Sequence, residues 1–329
     1  MYFIDGLECG RYDRRVLAEF TRRVLAEFTK GGMAAVTITL SFWEDALETM
    51  DAIAAWNDLA RANSDLVTIA RTAEDIVAAA DSGRTAVVLG SQNSSPVNDR
   101  LGFVELFTDM GLRVMQLTYN NQNAIGGSCY EPHDSGVSRF GREVIAEMNR
   151  VGMLVDLSHV GERTSFDAIK ASDHPLAITH ANPRSLYDHP RNKSDDLLRA
   201  LAAGGGVLGL ATYNNICGPY AQSPQAWCDM VARTVDLIGI DAVAIGTDLG
   251  QNSGPDRLEW MRKGKWTRSE QPGASLPGTP APPQEWLRST LQFPDIAAAL
   301  RESGRFNEAE IEAITGGNWL RLYRQVFGS

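Results

Sequence analysis

Short β-branched apolar runs alternate along the chain with longer stretches whose apolar residues recur at helical spacing. The runs predict strands at Tyr2–Asp5, Ala34–Leu40, Thr85–Ser91, Arg113–Thr118, Gly152–Ser158, Pro175–Thr179, Gly206–Ala211 and Ala242–Thr247. A further short run, Leu66–Ala70, reads as a loop or an edge. Phe140–Val151 and Trp227–Ile238 are amphipathic and predict helices between strands, and Ser64–Asp65 and Ser172–Asp173 read as turn or cap signals. Strands alternating with helices predict an α/β fold, a (β/α)8 TIM barrel, as a single domain over residues 1–329. A doubly wound open sheet is the alternative, but no glycine-rich phosphate loop follows the first strand.

Two segments break the rhythm. Arg14–Thr21 (RRVLAEFT) is repeated unchanged as Arg22–Thr29. Eight helical residues add about 12 Å and turn the following face by about 80°, so both copies cannot pack alike. The second copy runs directly into the turn before the next strand and is expected to carry the barrel-facing side chains. The first would then be displaced, and its exposed apolar residues would meet solvent or a partner chain, which leaves a homo-oligomer open. Residues 251–283, with several Gly and Pro, follow the last strand and read either as a lid over the barrel mouth or as a surface excursion.

Composition narrows the function. Of the 329 residues, 41 are Asp or Glu against 31 Lys or Arg, a formal charge of −10. Such a surface repels phosphate backbones, so no nucleic-acid partner is expected. Four cysteines without a C-x-x-C pair make no disulfide framework. The N-terminal stretch meets acidic residues at once, so neither a signal peptide nor a membrane partner is expected, and the reading is a cytoplasmic enzyme.

The chemistry gathers at strand ends. MLVDLSH stops on His159, PLAITH on His180 and AVAIGTD on Asp248. In a barrel these would converge at the mouth, and neutral imidazole with carboxylate suits zinc or a similar divalent ion. His133, His174 and His189 lie in Pro-containing loops and read as solvated or turn residues. Cys129, Cys217 and Cys228 read as packing or loop residues. The run Asn120, Asn121, Gln122, Asn123, with Tyr130 and Glu131, either hydrogen-bonds substrate or stitches its own loop.

RFGREVIAEMNRVGMLVDLSHVGERT, then PLAITHANPRSLYDHPRNKSDDLLRALAAGGGVLGL, then GIDAVAIGTDLGQ resembles the membrane (renal) dipeptidase family, peptidase family M19 of the amidohydrolase superfamily. The resemblance implies a barrel that holds two zinc ions and hydrolyses dipeptides. It implies His159 and His180 as metal ligands, Asp248 as the residue that handles the attacking water's proton, and Arg191 as the group that binds the substrate's carboxylate. It also marks departures. The family's first-strand His-x-Asp pair is matched by Leu7 and Cys9, its bridging glutamate by Gln92, and a substrate-facing histidine by Tyr119.

Leucine cannot ligate a metal, and a neutral amide does not offset the repulsion of two dications. One divalent metal, zinc, or none is therefore expected, with Cys9 and Gln92 as conceivable further ligands. Cys9 reads equally as a small buried apolar side chain. The expected function is metal-assisted hydrolysis of a small carboxylate-bearing amide, dipeptidase-like, with Asp248 catalytic and Arg191, Tyr119 and Asn120 binding substrate. The alternatives are a barrel enzyme with a reduced metal site acting on another small molecule, and a non-catalytic binding protein.

Overall fold

The structure, a computed structural model, describes residues 1–10, 18–250, 255–265, 268, 273–274 and 284–328. Nine parallel strands form one sheet: β1 (Phe3–Glu8), β2 (Met33–Ser41), β3 (Val67–Ile69), β4 (Thr85–Ser91), β5 (Leu112–Gln116), β6 (Leu154–Asp156), β7 (Ala177–Ala181), β8 (Val207–Leu210) and β9 (Val243–Ile245). The barrel order is β1-β2-β4-β5-β6-β7-β8-β9, and β3 pairs only with β4. Leu66–Ala70 thus holds an edge strand outside the ring. A bridge between Glu8 and Leu249 closes the seam, supported by Cys9 N–H donating to Leu249 O (2.8 Å) and Asp248 N–H to Leu7 O (3.1 Å). The fold is a nearly closed barrel of eight parallel strands with helices between them.

The helices run α1 (Ala18–Lys30), α2 (Ala46–Ala62), α3 (Ala73–Asp81), α4 (Phe103–Asp109), α5 (Arg139–Val151), α6 (Glu162–Ala171), α7 (Asp195–Ala203), α8 (Asn214–Cys217), α9 (Pro224–Ile238), α10 (Pro255–Lys263), α11 (Phe293–Glu302), α12 (Glu308–Glu312) and α13 (Asn318–Phe327). Their starts obey capping chemistry. Asp45 and Thr72 make reciprocal capping boxes with Glu48 and Asp75, and Ser138, Ser194 and Ser223 each accept an N–H of the first turn. α5 ends at Gly152 with φ +70°, where a side chain would be strained.

In α1 the second RRVLAEFT copy supplies the core: Val24, Leu25 and Phe28 are buried in the main hydrophobic cluster. Of the first copy, Arg14, Arg15, Val16 and Leu17 lie outside the described residues. At the base of the barrel, Trp319 and Tyr323 of α13 pack with the strand residues Ile4, Val88, Val114 and Val207. Trp319 Nε1–H donates to Ile245 O at 2.8 Å, and the Tyr323 hydroxyl bonds Thr37 at 3.0 Å. This filling needs glycine in the ring: a Cβ on Gly246 would stand 1.8 Å from Thr179 O.

Every strand but β4 begins or ends off the sequence reading, and at β1 and β7 the shift matters for the mouth. β1 runs on to Glu8, so Leu7 lies inside it, and β7 begins and ends later than read, which puts His180 inside the strand. A buried aspartate stands at each place: Asp5 at the seam accepts the Thr247 N–H, and Asp156 beside β7 accepts the Thr179 N–H.

Phe28→Ala should destabilise the chain by about 3–5 kcal/mol, as large-to-small changes in a packed core do. Leu47→Ala, at a residue 73% exposed, should stay within about 0.5 kcal/mol. Urea unfolding of the two variants measures the contrast, and a silent Phe28→Ala would deny the second copy its place in the core.

Candidate active site

Two aspartates shape the mouth from below. Asp156, the last residue of β6, accepts the Ser158 N–H (3.0 Å) and Oγ–H (2.6 Å) and reaches across to β7, where it accepts the Thr179 N–H (2.9 Å) and Oγ1–H (2.8 Å). Asp5 of β1 does the same at the seam, accepting the Leu7 N–H (3.2 Å), the Thr247 N–H (2.8 Å) and the Thr247 hydroxyl. Burial raises the pKa of both, that of Asp5 to about 7. Each carboxylate turns the strand end out of the ladder and fixes the residues next to it.

His159 stands just beyond the end of β6, and His180 stands beside it on β7. Their Nε2 atoms face each other at 3.1 Å, and the rings lie 5.2 Å apart. Proton positions can be assigned from the network. The Thr179 hydroxyl gives its proton to Asp156, so it accepts at 2.8 Å from His180 Nδ1–H. Asn120 presents Oδ1 at 2.6 Å to His159 Nδ1, which must then also carry its proton. Burial first, then the charges of Arg191 and Lys193, hold both imidazoles well below the usual histidine pKa, so both are neutral. Two neutral rings protonated at Nδ1 turn two Nε2 lone pairs toward one point. The arrangement is that of metal-binding histidines whose outer nitrogens are fixed by second partners.

Across the mouth, Asp248 lies just past β9 with φ +60°, a left-handed conformation that a non-glycine residue rarely adopts. Asn120 shares it, at φ +55°. Burial raises the Asp248 carboxyl to about 6, against the opposing pull of Arg191 and of the Cys9 hydrogen bond. The Cys9 thiol donates to Asp248 Oδ1 at 3.2 Å and accepts from Gln92 Nε2 at 2.9 Å, and the same Gln92 amide nitrogen also bonds Thr39 Oγ1 at 2.9 Å. Burial and the neighbouring Asp248 push the thiol well above its ordinary value. Cys9 is therefore a protonated thiol, and the Gln92 nitrogen faces sulfur and hydroxyl. In this state the sulfur presents no thiolate to a metal.

Arg191 is only 1% exposed. The HPRNK segment folds back beside β7: Lys193 N–H donates to Asn182 O, and Asn192 Nδ2 to Ile216 O. Arg191 is thereby held under the ends of β6 and β7, donating to Ser158 O and, at 3.0 Å, to His180 O. Lys193, equally buried, donates to Val160 O at 2.6 Å, and burial lowers it to about 8. Among the described residues no carboxylate forms an ion pair with either. A buried guanidinium without a counter-charge is costly, and this one lines a pocket.

That pocket, of about 140 Å³, is lined by Cys9, Gln92, Tyr119, Asn120, His159, Arg191 and Asp248, among others. His180 lies beneath His159 and does not reach its wall. Tyr119 packs on the His159 ring at 4.4 Å and edge-on to Phe42 and Trp43.

The amide run divides. Asn120 serves the site, whereas Asn123 stitches the loop through Asn93, Ser94 and Leu117, and Glu131 accepts the Gln122 N–H. His189 is a turn residue whose Nδ1 accepts the Arg191 N–H at 3.1 Å. Sequence reading missed α10, which brings Leu258, Met261 and Arg262 to the pocket. Glu44 fastens it, accepting from Arg257 Nη1 (3.2 Å) and Trp260 Nε1 (3.1 Å). Of residues 251–283, this helix, Gly264, Lys265, Arg268, Gly273 and Ala274 are described, and the rest lies outside the described residues.

The family model of the membrane dipeptidases, peptidase family M19, matches residues 16–267. The chain belongs to the membrane dipeptidase family. A dipeptidase verJ of Clonostachys rogersoniana is 31% identical over 63% of this chain and 54% of its own length. The chain spans little more than half the length of the curated relatives it matches. An amidohydrolase from Pseudomonas aeruginosa superposes with a TM-score of 0.91 at 35% identity, covering 100% of this chain and 97% of that one. A metallopeptidase from Rhodobacter sphaeroides, liganded with a phosphinate mimic of the dipeptide L-Ala-D-Ala, shares the fold with a TM-score of 0.79 at 18% identity, over 99% of each chain.

Membrane dipeptidases are metal-dependent, so the donor set has to be tested against a metal. Two nitrogens on one tetrahedral zinc at about 2.0–2.1 Å stand roughly 3.3 Å apart, close to the 3.1 Å between the two Nε2 atoms. His159 and His180 fit one cation. Among the described residues no three of His, Cys, Asp and Glu come together as a metal cage, and Leu7 offers no donor at all. A bridged pair does not fit.

Asp248 keeps its proton to about pH 6 in the folded chain, against an ordinary 3.8. Its contribution to stability is then full below about pH 4 and is lost as pH rises through 6. Urea unfolding across this window should show a shallower decline for Asp248→Asn than for the unchanged chain. Identical slopes would refute the raised carboxyl.

Proposed function

We propose that the chain hydrolyses the amide bond of a small substrate with a free carboxylate, of dipeptide or N-acyl amino acid type. The observation that carries this reading is Arg191: a buried guanidinium with no carboxylate partner among the described residues, facing the same pocket as a carboxyl poised to titrate near 6. Its two carbonyl acceptors leave further N–H donors for a substrate carboxylate. Leu258, Met261, Ile216 and Leu249 supply an apolar wall that suits the substrate's side chain. The phosphinate dipeptide mimic in the Rhodobacter sphaeroides metallopeptidase agrees in substrate class.

His159 and His180 would hold one divalent cation, zinc by donor type, through their Nε2 atoms. Bound there, it would supply Lewis-acid polarisation of the scissile carbonyl. Asn120 and Thr179 keep the two rings oriented for that role. Asp248, above pH 6, takes the proton of the attacking group and returns it to the leaving amine. Tyr119 bounds the pocket beside His159 and keeps the reacting centre dry. α10, clasped by Glu44, acts as the lid of the site.

A second reading, a binding protein for small carboxylates, is favoured by one observation: no third His, Cys, Asp or Glu joins the pair among the described residues. Metal analysis and dipeptide assays separate the two. Hydrolysis predicts about one divalent ion per chain, lost in His159→Ala and in His180→Ala. Asp248→Asn should then lower kcat by about 100-fold or more with the metal retained. Arg191→Ala should raise KM by roughly 10- to 100-fold through the lost charged contact. Carboxylate binding without a metal, and without turnover after zinc is supplied, would establish the binding protein instead.

A further inference from the structure

We propose that Arg262 of α10 forms a second anion subsite in this pocket, so that the substrate is a dicarboxylate with its scissile amide between the two charges. The proposal rests on the reading of the pocket as a site of amide hydrolysis, and it names the acyl half of the substrate. Arg191 holds the carboxylate of the amine half, and Arg262 holds one at the end of the acyl half.

α10 has two working faces. Arg257 and Trp260, three positions apart, both donate to Glu44 on the loop after β2. Leu258, Met261 and Arg262, spaced three and four positions along the helix, form the face that lines the pocket. A helix laid over a core ordinarily buries its apolar stripe most deeply. Here Leu258 and Met261 stay half-buried, and Arg262, 8% exposed, is the one buried residue among those described in α10. Arginine is rarely the side chain that a helix buries. Its planar fork of N–H donors matches a carboxylate.

The two arginines come to the pocket from opposite sides. Arg191 lies under the ends of β6 and β7, donating to Ser158 O and His180 O. α10 is fastened to the loop after β2, by Glu44 and by Trp43 Nε1–H, which donates to Met261 O at 3.2 Å. In the barrel order β2 stands second and β7 sixth of eight, half a circuit apart. A substrate anchored at both sides therefore lays its central amide across the mouth, where His159 and Asp248 line the same pocket. The methylenes of its acyl half run along Leu258 and Met261 to the guanidinium of Arg262.

An independent observation shows a donor still unused in this wall. Gln284, 4% exposed, lines the pocket, and its Nε2 is buried with no hydrogen-bond acceptor among the described residues. Trp286 Nε1–H, donating to Ala221 O at 2.8 Å, ties this stretch down. A buried N–H is costly to leave unmade, and an oxygen of the bound substrate satisfies it. Among the described lining residues Asp248 is the only acid. Donors on several sides and a single acid suit a ligand rich in acceptors.

The test uses the full chain and two ligands of equal shape, N-glutaryl-alanine and N-glutaramoyl-alanine, each made with L- and with D-alanine. They differ only in a terminal carboxylate against a terminal amide. Binding is read by calorimetry on Asp248→Asn, and turnover by the alanine that the unchanged chain releases. Glutaryl-alanine is expected to bind roughly tenfold or more tightly than its amide, as a charged contact to arginine implies. Carried on the same background, Arg262→Met should abolish this preference. Arg262→Lys should keep part of it, having the charge without the fork. Arg191→Ala should weaken both ligands by a similar factor and leave their ratio standing.

Equal binding of the two ligands would overturn the second subsite, and alanine released from both would leave the hydrolase standing. A preference that survives in Arg262→Met would also overturn it. If Arg262→Met does not fold, the ratio in Arg262→Lys decides: reduced, it upholds the subsite, and unreduced, it overturns it. A preference that depends on Arg262, with no alanine released even after zinc is supplied, would uphold the subsite and overturn the hydrolase. Binding of neither ligand would overturn both.

Discussion

The mouth of this barrel depends on the carboxylate of Asp156. It gathers donors from two strands, two from Ser158 and two from Thr179, and so joins β6 to β7 at the level where their ladder gives out. Its energetic logic is that of a buried anion made tolerable by hydrogen bonds: burial alone would drive the proton back on, and the surrounding N–H and O–H groups oppose it. The consequence for the site is positional. Thr179, having given its proton to Asp156, can only accept from His180, and so the protonation of His180 is set from outside the ring. A similar clasp by Asp5 on Thr247 holds the seam, and the next residue beyond it is Asp248.

These two clasps divide the mouth into halves of different character. On the β6–β7 side stand two neutral imidazoles with lone pairs turned toward each other, the arrangement of a cation clamp. On the β1–β9 side, the positions of Cys9 and Gln92 are filled by a thiol and an amide that satisfy each other, Thr39 and Asp248. That half is closed by uncharged donors. Gln92 contributes no charge there and Leu7 no donor. The chain thus keeps the fold of the membrane dipeptidases with a different set of polar groups at the mouth.

Electrostatics then pull the remaining groups one way. Arg191 lines the pocket, and neither it nor Lys193 has an ion-pair partner among the described residues; their field helps keep both histidines neutral, while Arg191 also draws the Asp248 pKa downward. Burial outweighs that pull and leaves Asp248 at about 6, where a carboxyl can both accept and return a proton in neutral solution. A cation, a titratable carboxyl and an apolar wall thus face one pocket.

Periodicity and strand-end residues were enough to read the barrel, because burial on both faces of a parallel strand leaves a continuous apolar run that a single sequence displays. His159, His180 and Asp248 were legible for the same reason: each stands where such a run stops. The family motifs around them were legible too. Contacts between residues far apart in the chain were not. The pairing of Cys9 with Asp248 joins β1 to β9 across the seam, and no spacing in the sequence announces it. The burial of Arg191 comes from a loop folding back on β7, which local composition reads as solvated. α10 reaches the mouth only because Glu44, far away in the chain, offers one carboxylate oxygen to it and the other to its own loop. Local pattern dictates which faces are buried; which polar groups then meet, and which protons they hold, is decided by ring closure, since only there do the strand ends share one dry space.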